Sequence, residues 1–306
     1  MKDDEKQKNK TSRPVKGGRK TLYRLLFLIC ACIFLFSSWK VAATLLEYRK
    51  SAEIYRDIKE LYYKSQEAGS TLPPEPALPE SRGTPEPPAV KSFPPPAEAS
   101  PSPPGTMAGP TPEAVYKDPR IPREAFDVLK KINSDITGWI KIPNTLIDYP
   151  VLQGKDNEYY LTHSVNREVI KNASLFMDCR NHAEKLDFNT IIYGHNMHDS
   201  TMFGYLPEYK HEEFMNKHPY IYFDTAYAAG IWEIFSVYVT DTGFDYRKTE
   251  FKKREDCQAF IDNIKSKSMY KKEMEVTPDS RILTLSTCTY EFKDARLVVH
   301  AKLLEK

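Results

Sequence analysis

Two stretches near the carboxyl end decide the fold: Arg281-Ile282-Leu283-Thr284-Leu285-Ser286-Thr287-Cys288 and Arg296-Leu297-Val298-Val299-His300. Both are rich in β-branched and aliphatic side chains and contain no Pro or Gly, which predicts strands over 281–287 and 297–303. The loop between them is short, so the two strands are expected to be neighbours. Six further runs upstream have the same character: Thr137 to Ile142, Ile147 to Leu152, Ala173 to Met177, Asn189 to Tyr193, Tyr220 to Phe223 and Gly230 to Thr240. Pro-Asn, Gln-Gly, Asp-rich and His-Pro turn signals separate them. Eight short strands of this kind predict a mainly β domain, a closed barrel or a sandwich. One segment breaks the pattern. Thr249 to Lys272 sets Phe251, Cys257, Phe260, Ile261, Ile264 and Met269 among charges, which predicts an amphipathic helix inserted before the last two strands. Ala125 to Ile132 predicts a short helix ahead of the first strand.

The rest of the 306 residues is not of this type. The chain has 23 prolines and 12 glycines, where average usage gives about 15 and about 21. Seventeen of the 23 fall within residues 72–122. Such a segment buries too little apolar surface to offset its chain entropy, and we expect a disordered proline-rich spacer there. Residues 47–71 have helical spacing and read as a helical stalk. Residues 21–46 hold a long apolar run with Arg24 and Lys40 near the ends of its most apolar part. Its length suits a membrane anchor better than a cleaved signal. Residues 1–20 carry eight basic and three acidic side chains. This positive cluster predicts a cytoplasmic amino terminus, a single pass through the cell membrane and an extracellular remainder. Residues 123–306 then form the one catalytic-sized domain. The net charge of +2 excludes a strongly basic nucleic-acid binder.

Three residue types in this domain bear on chemistry. Cys288 ends a strong strand, where a thiol can meet a substrate at a barrel rim; the plain alternative is a buried strand residue. His195 follows the apolar run Ile191-Ile192-Tyr193 after a glycine that frees the backbone, and a histidine can activate a thiol and protonate a leaving group. Arg296 opens the last strand, and a guanidinium beside a thiol can hold a carbonyl or an oxyanion; its alternative is an ion pair with Glu291 or Asp294. His195 with His198 lacks a convincing third ligand, so no metal is expected. No C-x-x-C occurs, and Cys179 and Cys257 are read as either paired or free.

Thr284-Leu285-Ser286-Thr287-Cys288 with Asp294-Ala295-Arg296 resembles the sortase signature TLxTC and its downstream arginine. Ile192-Tyr193-Gly194-His195-Asn196-Met197 resembles the sortase histidine motif. Asn157 to His163 and Met202 to Leu206 are similar to class B members in particular. The resemblance covers residues 123–306. It implies an eight-stranded sortase-type β-barrel with a long inserted helix before the catalytic strand and N-terminal helices. It implies a cysteine transpeptidase that cleaves a carboxyl-terminal sorting motif of secreted proteins after Thr. The acyl group would pass through a thioester on Cys288 to a peptidoglycan precursor or cell-wall peptide amine. His195 would serve as general acid and base and Arg296 as oxyanion holder. Asn157, Leu161, Thr242, Tyr246 and Ser286 would line the substrate groove, Thr289 is assigned no role, and no cofactor is implied. The alternatives are a pilin-polymerising sortase that uses a protein lysine, and a non-catalytic surface-display binding module.

Overall fold

A computed structural model describes residues 18–69, 123–185 and 187–304. The proline-rich segment 72–122 and most of the basic tail 1–20 lie outside the described residues. Every predicted strand forms: β1 (Ile136–Lys141), β2 (Asp148–Leu152), β3 (Leu175–Met177), β4 (Asn189–Tyr193), β5 (Tyr220–Thr225), β6 (Ala229–Thr240), β7 (Ile282–Cys288) and β8 (Arg296–Leu303). They close into a barrel in the order β1-β2-β3-β4-β7-β8-β6-β5. β2 with β3 and β4 with β7 run parallel, and the other pairs are antiparallel. β3 begins two residues later than predicted because Ala173 has φ 45°, outside strand geometry.

The period of two in β7 and β8 sorts their side chains to two cores. Leu283, Leu285, Leu297 and Val299 join the main core with Trp139 and Trp232. Ile282 and Val298 point outward, under a helix. The described residues hold four α-helices: α1 (Gly18–Gly69), α2 (Arg123–Ile132), the short α3 (Glu212–Lys217) and α4 (Arg254–Ser266). α4 lays Phe260, Ile261 and Ile264 over that outer face. It has 13 residues, shorter than the predicted 249–272. Competition from the sheet shortens it. After Ser266 the chain turns to β6, where the Met269 N–H donates to the Val237 carbonyl (2.8 Å) and the Val237 N–H to Ser268 Oγ (3.2 Å). At the other end Phe251 packs against Phe188 and Phe260 from an extended segment.

The described residues fall in two compact units, Met1–Lys50 and Ser51–Lys306. Within the first, α1 carries a stretch long and apolar enough to cross a membrane, with Phe27 and Phe34 about 70% or more exposed (73% and 70%). From Ser51 onward α1 belongs to the barrel's own unit. Tyr55, Ile58 and Tyr62 are buried at helical spacing. Tyr62 stacks on Trp139 with ring centroids 3.9 Å apart. The buried Asp148 carboxylate accepts from Trp139 Nε1 (2.8 Å) and the Tyr63 hydroxyl (2.9 Å) and pairs with Lys59 (2.7 Å). A buried carboxylate persists only when paired and hydrogen-bonded in this way. The segment read as a stalk thus supplies partners that the barrel needs.

A buried polar chain links β6, β8, β7 and β4. The Tyr238 hydroxyl donates to His300 Nε2 (2.8 Å), His300 Nδ1–H to Thr284 Oγ1 (2.8 Å) and Thr284 to Asn189 Oδ1 (2.6 Å). Since Thr284 has one proton and spends it on Asn189, the His300 tautomer is fixed. Burial pushes the His300 imidazole down to about 3. An unfolded histidine titrates near pH 6.5, so below that pH the unfolded chain takes up a proton that the folded one refuses. The stabilisation is complete above about pH 6.5 and declines as pH falls toward 3, by at most about 5 kcal/mol. Urea midpoints should therefore drop between pH 7 and pH 4.5. The drop should shrink in His300→Gln, and an unchanged pH slope in that variant would refute the assignment.

Candidate active site

β4 and β7 are parallel neighbours, with Tyr193 opposite Ser286. Parallel strands end at the same rim, so the residues that follow Tyr193 and Ser286 emerge together. The Gly194 N–H donates to the Ser286 carbonyl (3.2 Å), and the Thr287 hydroxyl donates to the Gly194 carbonyl (2.7 Å). One residue further on stand His195 and Cys288. Cys288 is exposed, not a buried strand residue. β8 enters antiparallel at the same rim and sets Arg296 directly opposite Cys288, where facing side chains lie about 5 Å apart at Cβ. Among the described residues Arg296 makes no ion pair; its Nη1 donates to the Ala295 carbonyl (3.0 Å), while Glu291 pairs with Lys210.

The glycine before His195 was expected to free the backbone, but no described glycine has positive φ. Space is the reason for Gly194. A Cβ there would stand 2.3 Å from Leu175 Cδ2 and 2.7 Å from the Phe203 ring. His195 Nε2–H donates to the Leu161 carbonyl (2.7 Å), which fixes the ring and its tautomer. Asn196 Nδ2 donates to the Cys288 carbonyl (3.0 Å) and ties the two rims together.

All eight residues singled out from the sequence line one cavity of about 250 Å³: Cys288, His195, Arg296, Asn157, Leu161, Thr242, Tyr246 and Ser286. Asn157 Oδ1 accepts from the Cys179 N–H (2.8 Å), so its amide N–H groups are left for a ligand. Tyr246 and Ser286 share a hydrogen bond (2.8 Å), and burial holds the Tyr246 phenol neutral by raising its pKa. The cavity adds Phe176, Tyr193, Gly194, Arg247 and Thr287, which were not singled out as groove residues. Three of these lie inside the quoted motifs. Arg247 adjoins Tyr246, and the Arg180 guanidinium holds its carbonyl (3.0 Å). Arg180 also grips the buried Asp178 through Nε and Nη2, both 2.8 Å, and Tyr193 donates to the same carboxylate (2.8 Å). Burial alone would raise the Asp178 pKa; these donors outweigh it and hold the carboxyl below its ordinary range. The lining contains two guanidinium groups and one imidazole and no carboxylate. Such a wall is built to hold oxygens that carry or develop negative charge. Among the described residues no group of three His, Cys, Asp or Glu can hold a metal. All five cysteines are free, Cys179 exposed and Cys257 buried.

A closed mixed barrel with a thiol and a guanidinium paired at one strand rim defines a sortase-type domain. The family model for the sortase domain matches residues 140–304. Sortase B of Staphylococcus aureus is 44% identical over 185 residues, 60% of this chain and 76% of that protein. Sortase B of Listeria monocytogenes is 33% identical over 287 residues, 93% of this chain and 98% of that protein. A solved Staphylococcus aureus sortase B–substrate complex superposes with TM-score 0.58 at 44% identity, over 60% of this chain and 86% of that one. The chain belongs to the sortase family, in its class B, and is a transpeptidase.

Gly194→Ala should lower stability by about 1–3 kcal/mol, the cost of overpacking a filled site. Urea denaturation measures this, and an unchanged midpoint would show that Leu175 and Phe203 can yield.

Proposed function

We propose that this enzyme cleaves a carboxyl-terminal sorting motif of secreted proteins after threonine and transfers the acyl group to a cell-wall peptide amine. The observation that carries the reading is the register pair of Cys288 with Arg296, with His195 at the end of the adjoining parallel strand. The Cys288 thiol passes its proton to His195 as its sulfur attacks the threonine carbonyl carbon. Arg296 donates to the carbonyl oxygen as it becomes an oxyanion. His195 gives its proton to the departing amine, and a thioester remains on Cys288. The acceptor amine then attacks the thioester, the C–S bond breaks with its electron pair on the Cys288 sulfur, and the proton lost by the amine passes through His195 back to that sulfur. The amide bond broken supplies the free energy of the amide bond formed, so no nucleotide or other cofactor is required.

Asn157, Leu161, Thr242, Tyr246 and Ser286 form the wall for the motif, and Arg247 extends it. The donor-rich, acid-free lining suits a peptide strand whose carbonyl oxygens need partners. Binding of substrate by the Staphylococcus aureus relative supports the same use of this groove. The apolar part of α1 anchors the protein in the cell membrane, with the basic tail cytoplasmic and the catalytic domain outside. Proteins bearing the sorting motif and the cell-wall peptide are then the partners.

A library of fluorogenic sorting peptides, assayed with and without an amine, tests this reading. Cys288→Ala should show no turnover, and retained turnover would overturn it. Arg296→Ala should lower kcat by about 10²–10³, as loss of an oxyanion donor does.

A further inference from the structure

Residues 241–253 join β6 to α4 and divide two cavities. Thr242, Tyr246 and Arg247 line the groove, while Asp245, Lys248 and Glu250 line a separate cavity of about 600 Å³. Two of the connection's acidic side chains thus belong to the other cavity. The third, Asp241, accepts from the Gly243 N–H (2.8 Å) within its own turn. The connection brings a guanidinium to the groove and no carboxylate. Its backbone is held firmly at that point. The buried Asn189 amide donates to the Tyr246 carbonyl (3.2 Å) and the Lys248 carbonyl (3.0 Å), and Arg180 takes the Arg247 carbonyl between them (3.0 Å). Three successive carbonyls are gripped by two side chains of the barrel. Asn189 is itself fixed by Thr284 (2.6 Å) and Arg180 by the buried Asp178.

The Arg247 side chain is not engaged in the same way. Among the described residues its one ion pair is with Asp245, at 3.9 Å and with both groups half exposed, a contact of little strength. The guanidinium lies 5.9 Å from the Tyr246 ring centroid. A planar fork of N–H donors on a fixed backbone and beside an aromatic ring suits a carboxylate. Its place along the groove follows from β7. Ser286 is two residues before Cys288, on the same face and about 7 Å away. The Tyr246 hydroxyl meets Ser286 (2.8 Å), and Arg247 adjoins Tyr246. An extended peptide covers about 7 Å in two residues. We propose that Arg247 determines specificity by receiving an acidic side chain, Asp or Glu, roughly two to four residues before the threonine of the sorting motif. This rests on the groove reading above.

The test uses the full chain and fluorogenic sorting peptides with Glu, Gln or Lys at each of the positions in reach. The readout is the ratio of kcat/KM between peptides within one protein, so a general loss of activity in a variant cancels. At one position the unaltered protein should favour Glu over Gln by about tenfold, as expected for a charge-assisted contact, with Lys the poorest. Arg247→Gln should bring the ratio of Glu to Gln close to one. Arg247→Glu should reverse the order and favour Lys, a gain that misfolding cannot mimic. Equal values for Glu, Gln and Lys at every position in the unaltered protein would overturn the proposal. So would a preference for Glu that survives in both variants. Cleavage of none of these peptides by the unaltered protein would instead overturn the groove reading beneath it.

Discussion

The bond from the Thr287 hydroxyl to the Gly194 carbonyl holds two strand ends level. Residues 195, 288 and 296 are far apart in the chain or separated by a loop, yet they reach one rim because β4 and β7 run parallel and β8 returns between them and β6. No flexible loop has to deliver any of the three. The geometry is set by ladder hydrogen bonds whose register is fixed by buried side chains on both faces of β7. Gly194 is the concession this requires, since close approach of Leu175 and Phe203 leaves no space beside the carbonyl that Thr287 holds.

Much of this was legible in the residues. Strand alternation gave all eight barrel strands, and the short spacing between Cys288 and Arg296 implied a neighbouring pair. Quoted motifs located the rim. What stayed hidden depended on distant partners. The pattern over 249–272 is helical by period, but period cannot show that Val237 offers Met269 and Ser268 better bonds than another helical turn. Arg247 looks like any surface arginine until Arg180, 67 positions away, is seen to hold its carbonyl. Tyr55, Ile58 and Tyr62 have helical spacing, but nothing local says that their partner is the face of Trp139.

The polar interior shows a common rule. His300, Asp148 and Asp178 are all buried, and each is matched to donors or acceptors from at least two elements. Such groups add little net stability over apolar packing but penalise any misaligned arrangement. The His300 chain fixes β6 against β7 and β8, Asp148 fixes α1 on β1, and Asp178 fixes the turn after β3 beside Tyr193.

The second half of α1 and the start of α2 both pack within the unit Ser51–Lys306. The chain between Gly69 and Arg123 therefore starts and ends in one unit. Polymer contour length in such a connection lends no distance to what it connects. Its cost is the entropy of bringing two ends together, which grows only logarithmically, by about 0.6 kcal/mol for each doubling in length. Evolution can lengthen, shorten or recompose this insert at almost no thermodynamic expense, while a cut that discards residues before it would strip Asp148 of Lys59 and Tyr63 and leave a bare charge in the barrel wall.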